Sequence, residues 1–431
     1  MRKRMTCTLL VAGLLIFVAG SALASGFSIY EAGSKATALG CAFTATADDG
    51  SALFYNAAGL SFMKGSRAEA NAVFVAPQFS FSGKLNKTDT VTSTGEAEDK
   101  VYPVPGVYYT NNPGGAASFG IGVYAPYGLG VVWKDGENWV GRRISHDVQI
   151  QTVYVTPAVS LKVAENFSIA AGVDIATQHL ELKKYSPEPQ FGENAVHTTI
   201  KGSSSINLTP TLGAMYRPNE KLSLGVSYHF KKTMKFDDAD ATLEPVAPGN
   251  DPWGDALVDA LGSDQKLSSD LNLPDILSLG IAYRFVPQFK AEFNYVRFGW
   301  STFDKLALNF ANDALDQTIH FNYEDSWQVR FGFDYQANEK WNLMAGYVHD
   351  KTPQPLVAVS PLLPDSDRND YSFGAKYTSG SWDFNLSYMV VVGTERTNIE
   401  GGEPVRNTTD YPFGTYKSLA NLFGVGIGYN F

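Results

Sequence analysis

The chain has very little cysteine and, beyond its first two dozen residues, no long hydrophobic run. Its 431 residues include two cysteines, and only Cys41 follows residue 24, so neither an internal disulfide nor a cysteine-based metal site is expected. After residue 24 there is also no stretch of about 20 apolar residues that would cross a bilayer as a helix. A secreted chain of this kind can still span a membrane as a closed β-barrel, because a barrel leaves no backbone group unpaired in lipid.

The first 24 residues have the pattern of a secretory signal peptide. Arg2, Lys3 and Arg4 precede an apolar run at 9–18, and Ala22-Leu23-Ala24 has the small-residue pattern of a cleavage site. We therefore expect residues 1–24 to be removed. The remaining chain has 31 Lys and Arg against 44 Asp and Glu, a formal net charge of −13, which argues against nucleic acid as a partner.

Aromatic residues and glycine, in contrast, are abundant, with 22 Tyr, 27 Phe and 40 Gly, a composition that suits strands and membrane interfaces. Strand-length segments are joined by connections that are alternately short and long. Six short turns, such as 164–166 and 379–381, alternate with seven long polar loops, such as 237–271 and 301–320. Tight periplasmic turns and large outer loops are typical of outer-membrane barrels. The pattern predicts an all-β fold with 14 antiparallel strands over residues 67–431.

The last predicted strand, over 418–431, has the clearest alternation of the two faces. Its apolar face consists of Phe423, Val425, Ile427, Tyr429 and Phe431. The opposite face is rich in glycine, and we expect it to line the lumen while the apolar face contacts lipid. A soluble β-sandwich would also alternate with a period of two, but it does not account for the unequal loops or for the terminal aromatic residue.

Residues 25–66 differ from the rest, because they are rich in alanine and glycine and only weakly periodic. A disordered tail, a periplasmic domain and a plug inside the barrel are the three alternatives. The aromatic residues argue against disorder, and the segment is too short for a core of its own, so we predict a plug. Its apolar side chains could line an inner pocket or only pack the plug; they are Phe27, Ile29, Phe43 and Phe54.

Several short motifs follow one another in a fixed order along the chain. Gly26-Phe27-Ser28-Ile29-Tyr30-Glu31 comes first, Asn56-Ala57-Ala58-Gly59-Leu60 follows, and Leu363-Pro364-Asp365-Ser366-Asp367-Arg368 lies near the end. In this order they resemble the FadL-type outer-membrane transporters of long-chain fatty acids, which include the TodX-type transporters of aromatic hydrocarbons. Ala57 departs from the family pattern, in which proline is usual at that position.

The resemblance implies a 14-stranded barrel closed by an N-terminal plug, and a passive mechanism that needs no cofactor. A hydrophobic ligand would enter an apolar groove among the outer loops, pass to a pocket inside the barrel and leave sideways where the third strand kinks. Long-chain fatty acids are the expected ligands, and aromatic or alkane hydrocarbons are the alternative. Gly120 and Gly122 in the third strand are the predicted gate, although glycines there could only relieve crowding against the plug.

Two further groups of residues are candidates for ligand binding. A short helix predicted from Pro252 in the fourth long loop would place an apolar stripe in the groove, or else pack it against a neighbouring loop; the stripe is Trp253, Leu257 and Leu261. Lys183, Lys184 and Lys305 could meet a ligand carboxylate, or could be solvated at the interface.

A diffusion porin and an outer-membrane enzyme are the rival functions. A porin would need an open lumen, which the predicted plug argues against. His146-Asp147 suggests catalysis at first sight, but neighbours on a strand point to opposite faces and no serine nucleophile with an orienting base is evident. We therefore interpret this pair as loop surface and expect no enzyme, no metal and no cofactor. The expected partners are a hydrophobic ligand, membrane lipid with lipopolysaccharide, and the outer-membrane assembly machinery that reads the terminal strand; we expect a monomer.

Overall fold

Alternating apolar and polar residues form fourteen long antiparallel strands in the computed structural model, which describes residues 26–85, 90–187, 193–406 and 411–431. The expected signal peptide, residues 1–24, lies outside the described residues. We number the barrel strands 1 to 14. In chain order they are Gly65–Lys84, Tyr102–Asn112, Ala117–Tyr124 continued by Gly128–Val132, Asp147–Ala164, Phe167–Pro187, Asn194–Ser203 continued by Asn207–Tyr216, Leu222–His229 continued by Lys232–Pro245, Asp264–Leu273 continued by Ile276–Val286, Phe289–Phe298, Ser326–Gln336, Trp341–Asp350, Arg368–Ser379, Trp382–Gly393 and Phe413–Asn430.

The sheet closes on itself through its first and last strands. Strand 1 pairs with strand 14 from Arg67 opposite Asn430 to Lys84 opposite Phe413. The remaining strands pair in chain order, so the predicted 14-stranded antiparallel barrel is confirmed. Strand 14 begins at Phe413, five residues before the predicted start. Its extracellular end continues to pair with strand 1 as far as Phe413 opposite Lys84.

The outer face of the barrel is apolar, as the alternation predicts. In strand 14, Phe423 is 54% exposed and Val425 is 44% exposed, whereas Leu422, on the opposite face of the strand, is fully buried. Gly424 faces inward, where an added Cβ would meet the side chains of Ser387 and Ser34. This strand therefore has a lipid-facing side and a side that accommodates the material filling the lumen. No helix in the described parts of the chain has the length and apolar character needed to span a membrane.

Short elements occupy the outer loops. The helix Pro252–Leu261 lies between strands 7 and 8, and a small hairpin lies between strands 9 and 10. The short strands of the loops are Ser93–Glu96, Lys305–Phe310, Gln317–His320, Arg396–Thr397, Ile399–Glu400 and Glu403–Pro404, and the 3-10 helices are Trp300–Thr302, Asp313–Leu315 and Leu356–Ala358. These elements cover the extracellular end of the barrel.

Residues 26–64, which we call the plug, are almost entirely buried. They contain the helices Ser34–Ala38 and Ala52–Tyr55 and the 3-10 helix Ala57–Phe62. The first helix packs on strands 12 to 14, and the 3-10 helix packs on strands 4 to 6 at the other side of the barrel. Residues 26–64 therefore contact strands on two sides of the barrel.

Polar side chains of the barrel wall hold the plug backbone. The amide of Ala45 donates to Glu292 at 2.8 Å, and the amide of Gly40 donates to Ser372 at 2.9 Å. A buried segment with little regular structure needs such partners, because an unpaired buried amide is costly. Burial raises the pKa of Glu31 in the plug to about 7, and the nearby Asp370 adds to the increase. Since the folded pKa is above the unfolded value, this carboxyl favours the folded state at low pH and less so as the pH rises toward 7.

Candidate functional site

A groove opens between the outer loops, with an apolar floor and basic residues around it. Its volume is about 390 Å³. The floor is formed by aliphatic and aromatic side chains, namely Ile144, Leu182, Ile200, Leu308, Ile319, Phe321 and Leu362. Four cationic or imidazole side chains also line it, namely Arg143, Lys184, His320 and Arg406. The groove therefore suits a molecule with a long apolar part and an anionic end.

A second cavity lies directly beneath the groove, inside the extracellular end of the barrel. Its volume is about 40 Å³ and its lining is entirely apolar. Six side chains line both cavities, namely Leu182, Ile200, Leu308, Ile319, Phe321 and Leu362. Because these six side chains border both cavities, rearrangements of apolar side chains there would join the two. This space is far too small for an acyl chain, so a ligand must displace lining residues to enter it.

The plug supplies one wall of this inner pocket through Phe27. The ring of Phe27 lies 4.9 Å from the ring of Trp300 and 5.5 Å from that of Phe303, both in edge-on contact. Phe303 stacks in turn on Phe321 at 4.5 Å. Gly26 comes so close to Trp300 that an added Cβ would lie 2.8 Å from the indole. The start of the plug is therefore packed into the aromatic cluster that lines the pocket.

The same plug residues are hydrogen-bonded to an interruption in strand 3. This strand stops at Tyr124 and resumes at Gly128. The amide of Ile29 donates to the carbonyl of Pro126 at 2.7 Å, and the amide of Gly128 donates to the carbonyl of Phe27 at 3.0 Å. The plug thus takes backbone hydrogen bonds that a neighbouring barrel strand would otherwise make.

A gap in the wall accompanies this interruption. Strands 2 and 3 pair up to Gly106 opposite Tyr124, and the next bridge joins Ala97 to Trp133. Between these points Gly128–Val132 pairs with strand 4 and not with strand 2, within the described part of the chain. The ring of Tyr102 fills the space, lying 2.7 Å from where a Cβ on Gly130 would be. Side chains, rather than a hydrogen-bonded ladder, close the wall here.

The structure corrects the predicted position of the kink. Gly120 and Gly122 lie in an unbroken part of strand 3 that pairs with both neighbouring strands. A Cβ on Gly120 would lie 3.1 Å from Leu53 of the plug, and one on Gly122 would lie 2.8 Å from Tyr108. These glycines make room for the plug and for Tyr108, which is the alternative interpretation given above. The interruption is at residues 125–127, where Pro126 has no N–H to donate.

Of the four apolar plug residues singled out in the sequence, Phe27 lines the pocket and the others lie elsewhere. Ile29 is buried in a separate cluster that includes Val104 and Ala125, beside the gap in the wall. Phe43 packs edge-on against Tyr55 at 5.5 Å within the plug. Phe54 packs between the plug and the wall, 5.5 Å from the ring of Tyr124.

Of the three candidate lysines, Lys184 lines the groove, and its ammonium donates to Gln317 at 3.1 Å. Lys183 points to the other face of strand 5, where it pairs with Asp147 at 3.1 Å and Glu181 at 2.8 Å. Lys305 is exposed at the start of its loop strand and lines neither cavity.

The predicted helix is present as Pro252–Leu261, but its stripe does not line the groove. Trp253, Leu257 and Leu261 pack against a small cluster formed by Ala195, Val196, Leu243 and Val258. The stripe therefore packs the helix against the extracellular ends of strands 6 and 7. This geometry does not support a contact between the stripe and a ligand in the groove.

The motif Asn56-Ala57-Ala58-Gly59-Leu60 fixes the plug to strands 4 to 6. The Asn56 side chain accepts from the amide of Ala58 and donates to the carbonyls of Thr44 at 2.9 Å and Ala214 at 3.1 Å. The carbonyl of Ala58 accepts from the hydroxyl of Ser168 at 2.8 Å. Gly59 lies so close to Ala47 that an added Cβ would overlap its carbonyl oxygen. Ala57 occupies the first helical position without the proline usual in the family.

Sequence reasoning missed the hairpin of the fifth long loop, which supplies Leu306, Leu308, Ile319 and Phe321 to the inner pocket. The region 301–320 was expected to be a polar loop. A signal was present, because Leu306, Leu308 and Phe310 alternate with polar or small residues and are all buried.

A closed 14-stranded barrel with a filled lumen, and with a wholly apolar pocket beneath a groove in its outer loops, defines an outer-membrane protein that admits apolar molecules rather than an open pore. Over residues 15–431 the chain matches the family described as "Outer membrane protein transport protein (OMPP1/FadL/TodX)", and it belongs to that family. It is accordingly a protein of the Gram-negative outer membrane.

Individual relatives are distant in sequence but similar over their whole length. Outer membrane protein P1 of Haemophilus influenzae is 22% identical over 472 residues, covering 98% of both chains. The long-chain fatty acid transport protein of Salmonella typhi is 23% identical over 439 residues, covering 96% of both. A Pseudomonas aeruginosa FadL homologue has the same fold, with a TM-score of 0.81 at 20% identity over 94% of this chain and 100% of that one. The P. putida toluene transporter TodX has a similar fold, with a TM-score of 0.69 at 17% identity over 93% of this chain and 98% of that one.

Proposed function

We propose that this protein carries long-chain fatty acids passively across the outer membrane. The acyl chain enters the inner pocket from the groove, the carboxylate stays at the basic side chains of the groove, and the ligand leaves sideways through the gap between strands 2 and 3. Residues 1–24 serve as a removed signal peptide and residues 25–66 as the plug. The protein acts as a monomer, and the assembly machinery recognises its terminal strand.

The observation that carries the proposal is that the groove, the pocket and the wall gap are neighbours linked by shared residues. Phe27 lines the pocket, and its carbonyl accepts the hydrogen bond from Gly128 at the strand-3 interruption. A ligand that displaces Phe27 would therefore disturb the contacts that hold the gap closed. Each buried methylene contributes about 0.8 kcal/mol, so a long acyl chain would bind tightly unless such a movement weakened the pocket.

The basic side chains favour a fatty acid over a neutral hydrocarbon. Arg143, Lys184 and Arg406 all reach the groove, and a carboxylate forms charge-assisted hydrogen bonds with such groups. The inner pocket supports a second candidate, the uptake of aromatic or alkane hydrocarbons, because its lining contains no polar side chain. TodX, whose fold is similar, is named a toluene transporter.

Uptake into lipid vesicles containing the purified protein distinguishes the two candidates. We expect saturable uptake of labelled oleate that exceeds the rate in protein-free vesicles, with toluene entering at the protein-free rate. Mass spectrometry of the purified protein should identify retained fatty acid. Facilitated entry of toluene without that of oleate would assign the hydrocarbon function instead.

Replacing Lys184 by glutamine should weaken oleate binding by about tenfold, the effect of losing one partly exposed charge-assisted contact. Binding of a neutral alkane of the same length should change little. Lys183→Gln is the matched control, since it removes the same charge one residue away on the opposite face. Titration of each variant with a fluorescent fatty acid measures the difference, and equal losses in both variants would contradict a role for Lys184 in the groove.

Replacing Leu308 by aspartate should reduce oleate uptake by more than about tenfold, because an unpaired carboxylate in an apolar cavity is strongly unfavourable and repels the ligand's own charge. Leu308 lies on an outer-loop strand and lines both cavities, so the barrel wall is left intact. Asn309→Asp introduces the same carboxylate at the exposed neighbouring position and should leave uptake unchanged. Normal transport by the Leu308 variant would exclude this route for the ligand.

A further inference from the structure

Two histidines from different strands meet at the extracellular end of the barrel. The Nε2 atoms of His146 and His197 lie 3.1 Å apart, and both side chains are partly accessible to solvent. Two imidazoles bound side by side to one metal ion at about 2.1 Å place their nitrogens about 3.0 to 3.4 Å apart. The observed separation therefore falls in the range that a metal ion requires.

The fold holds both rings in this arrangement. The amide of His146 donates to the carbonyl of Lys183 at 3.0 Å, which extends the pairing of strands 4 and 5 by one residue. Tyr185 is paired with His197 across strands 5 and 6. The ring of Tyr185 packs against His146 at 5.0 Å and against His197 at 4.8 Å. Backbone register and a shared aromatic contact fix the pair before any ion binds.

A carboxylate beside His197 favours the imidazole tautomer that metal binding needs. The Glu244 carboxylate lies 3.6 Å from Nδ1 of His197, too far for a direct hydrogen bond, but its negative charge favours a proton on Nδ1 and the lone pair on Nε2. Within the described residues no third histidine, cysteine or carboxylate converges on this point, so water would complete the coordination.

We propose that His146 and His197 form a binding site for a divalent transition metal ion, with Cu²⁺ bound more tightly than Ni²⁺ or Zn²⁺. On binding, the proton that joins the two Nε2 atoms moves to Nδ1 of His146 through solvent, and no net proton is released. This site is independent of the proposed transport function. Because Arg143 and Ile144 line the groove just before His146, the ion joins the end of the second long loop to strand 6 at the edge of the groove.

Titration of the untagged mature protein in detergent with Cu²⁺ tests the proposal. We expect one saturable site per chain with a Kd below about 100 µM, and electron paramagnetic resonance showing two nitrogen ligands. His146→Gln and His197→Gln should each weaken binding by at least about a hundredfold, and Glu244→Gln by about tenfold. His179→Gln, which changes a histidine bonded to Ser203 away from the pair, should bind Cu²⁺ as the wild type does.

Two results would overturn the site. One is a wild-type spectrum without two equatorial nitrogens, which needs no variant and so does not depend on whether the substituted chains fold. The other is unchanged Cu²⁺ affinity in both single-histidine variants whose metal-free melting temperatures equal that of the wild type. A rise in melting temperature with Cu²⁺ in the wild type and His179→Gln, but in neither paired-histidine variant, would support the proposal further.

Discussion

A disulfide between residues 28 and 127 is expected to stop uptake, and reduction is expected to restore it. Ser28 and Tyr127 form an isolated antiparallel bridge between the plug and the strand-3 interruption. Bridged residues of this kind have Cα atoms about 4.5 to 5.5 Å apart, which suits a disulfide. If release requires the plug start to leave the gap, the oxidised Ser28→Cys/Tyr127→Cys variant should transport oleate at least about tenfold more slowly than the same protein after reduction.

A second disulfide provides the matched control. The hydroxyls of Ser34 and Ser387 lie 3.1 Å apart, so Ser34→Cys/Ser387→Cys would tie the first plug helix to strand 13, away from the pocket. This cross-link should leave transport nearly unchanged if only the start of the plug moves. The native Cys41 is fully buried and does not compete for either bond. Equal uptake by the oxidised and reduced 28/127 protein would show that the plug start stays in place during transport.

The barrel could be predicted from the sequence because its signals are local. Alternation with a period of two, and loops of two lengths, fix the strand number and the inward face of each strand. The same rule explains the lysines: Lys184 has the parity of the buried residues Asp174 and Leu182 along strand 5, whereas Lys183 has the opposite parity. Parity therefore distinguishes a lysine at the groove from a lysine that pairs outside it.

The strand interruption could not be placed with the same rule, because it depends on contacts distant in sequence. Whether strand 3 continues past Tyr124 is decided by competition between strand 2 and the plug for backbone hydrogen bonds. The glycines of strand 3 were a misleading signal, because they leave space for the side chains of Leu53 and Tyr108 and do not mark the interruption. The prolines were a better signal. Pro103, Pro105 and Pro126 all border the gap, and a proline has no N–H to donate to a strand ladder.

The pocket was the part of the site least accessible to prediction. Its lining comes from the plug, from the extracellular ends of strands and from a loop hairpin, and no periodicity links such distant segments. The charge pattern of the groove has the same origin, since Arg143 and Arg406 belong to different loops. These residues come together only in the folded chain, and their proximity cannot be predicted from a single sequence.

Replacing Lys232 by methionine is expected to destabilise the folded barrel by about 3 to 5 kcal/mol, because it leaves the carboxylate of Asp174 buried without its main partner. The ammonium of Lys232 lies 2.8 Å from Asp174, with side chains 2% and 0% exposed, and it also packs over the ring of Tyr154. Chemical unfolding in detergent micelles measures the loss.

A double variant separates the charge from the packing in this prediction. Asp174 also accepts from Thr156 at 2.8 Å, and His229 lies 3.5 Å away while bonding the plug carbonyl of Phe54. Asp174→Asn/Lys232→Met removes both charges and should recover most of the stability lost by Lys232→Met, because the neutral amide keeps the hydrogen bond from Thr156. If the double variant is only as stable as Lys232→Met, the lysine acts through its packing on Tyr154 and not through its charge. If both resemble the wild type, His229 has taken over the pairing, and Asp174 and the plug are then joined through a single imidazole.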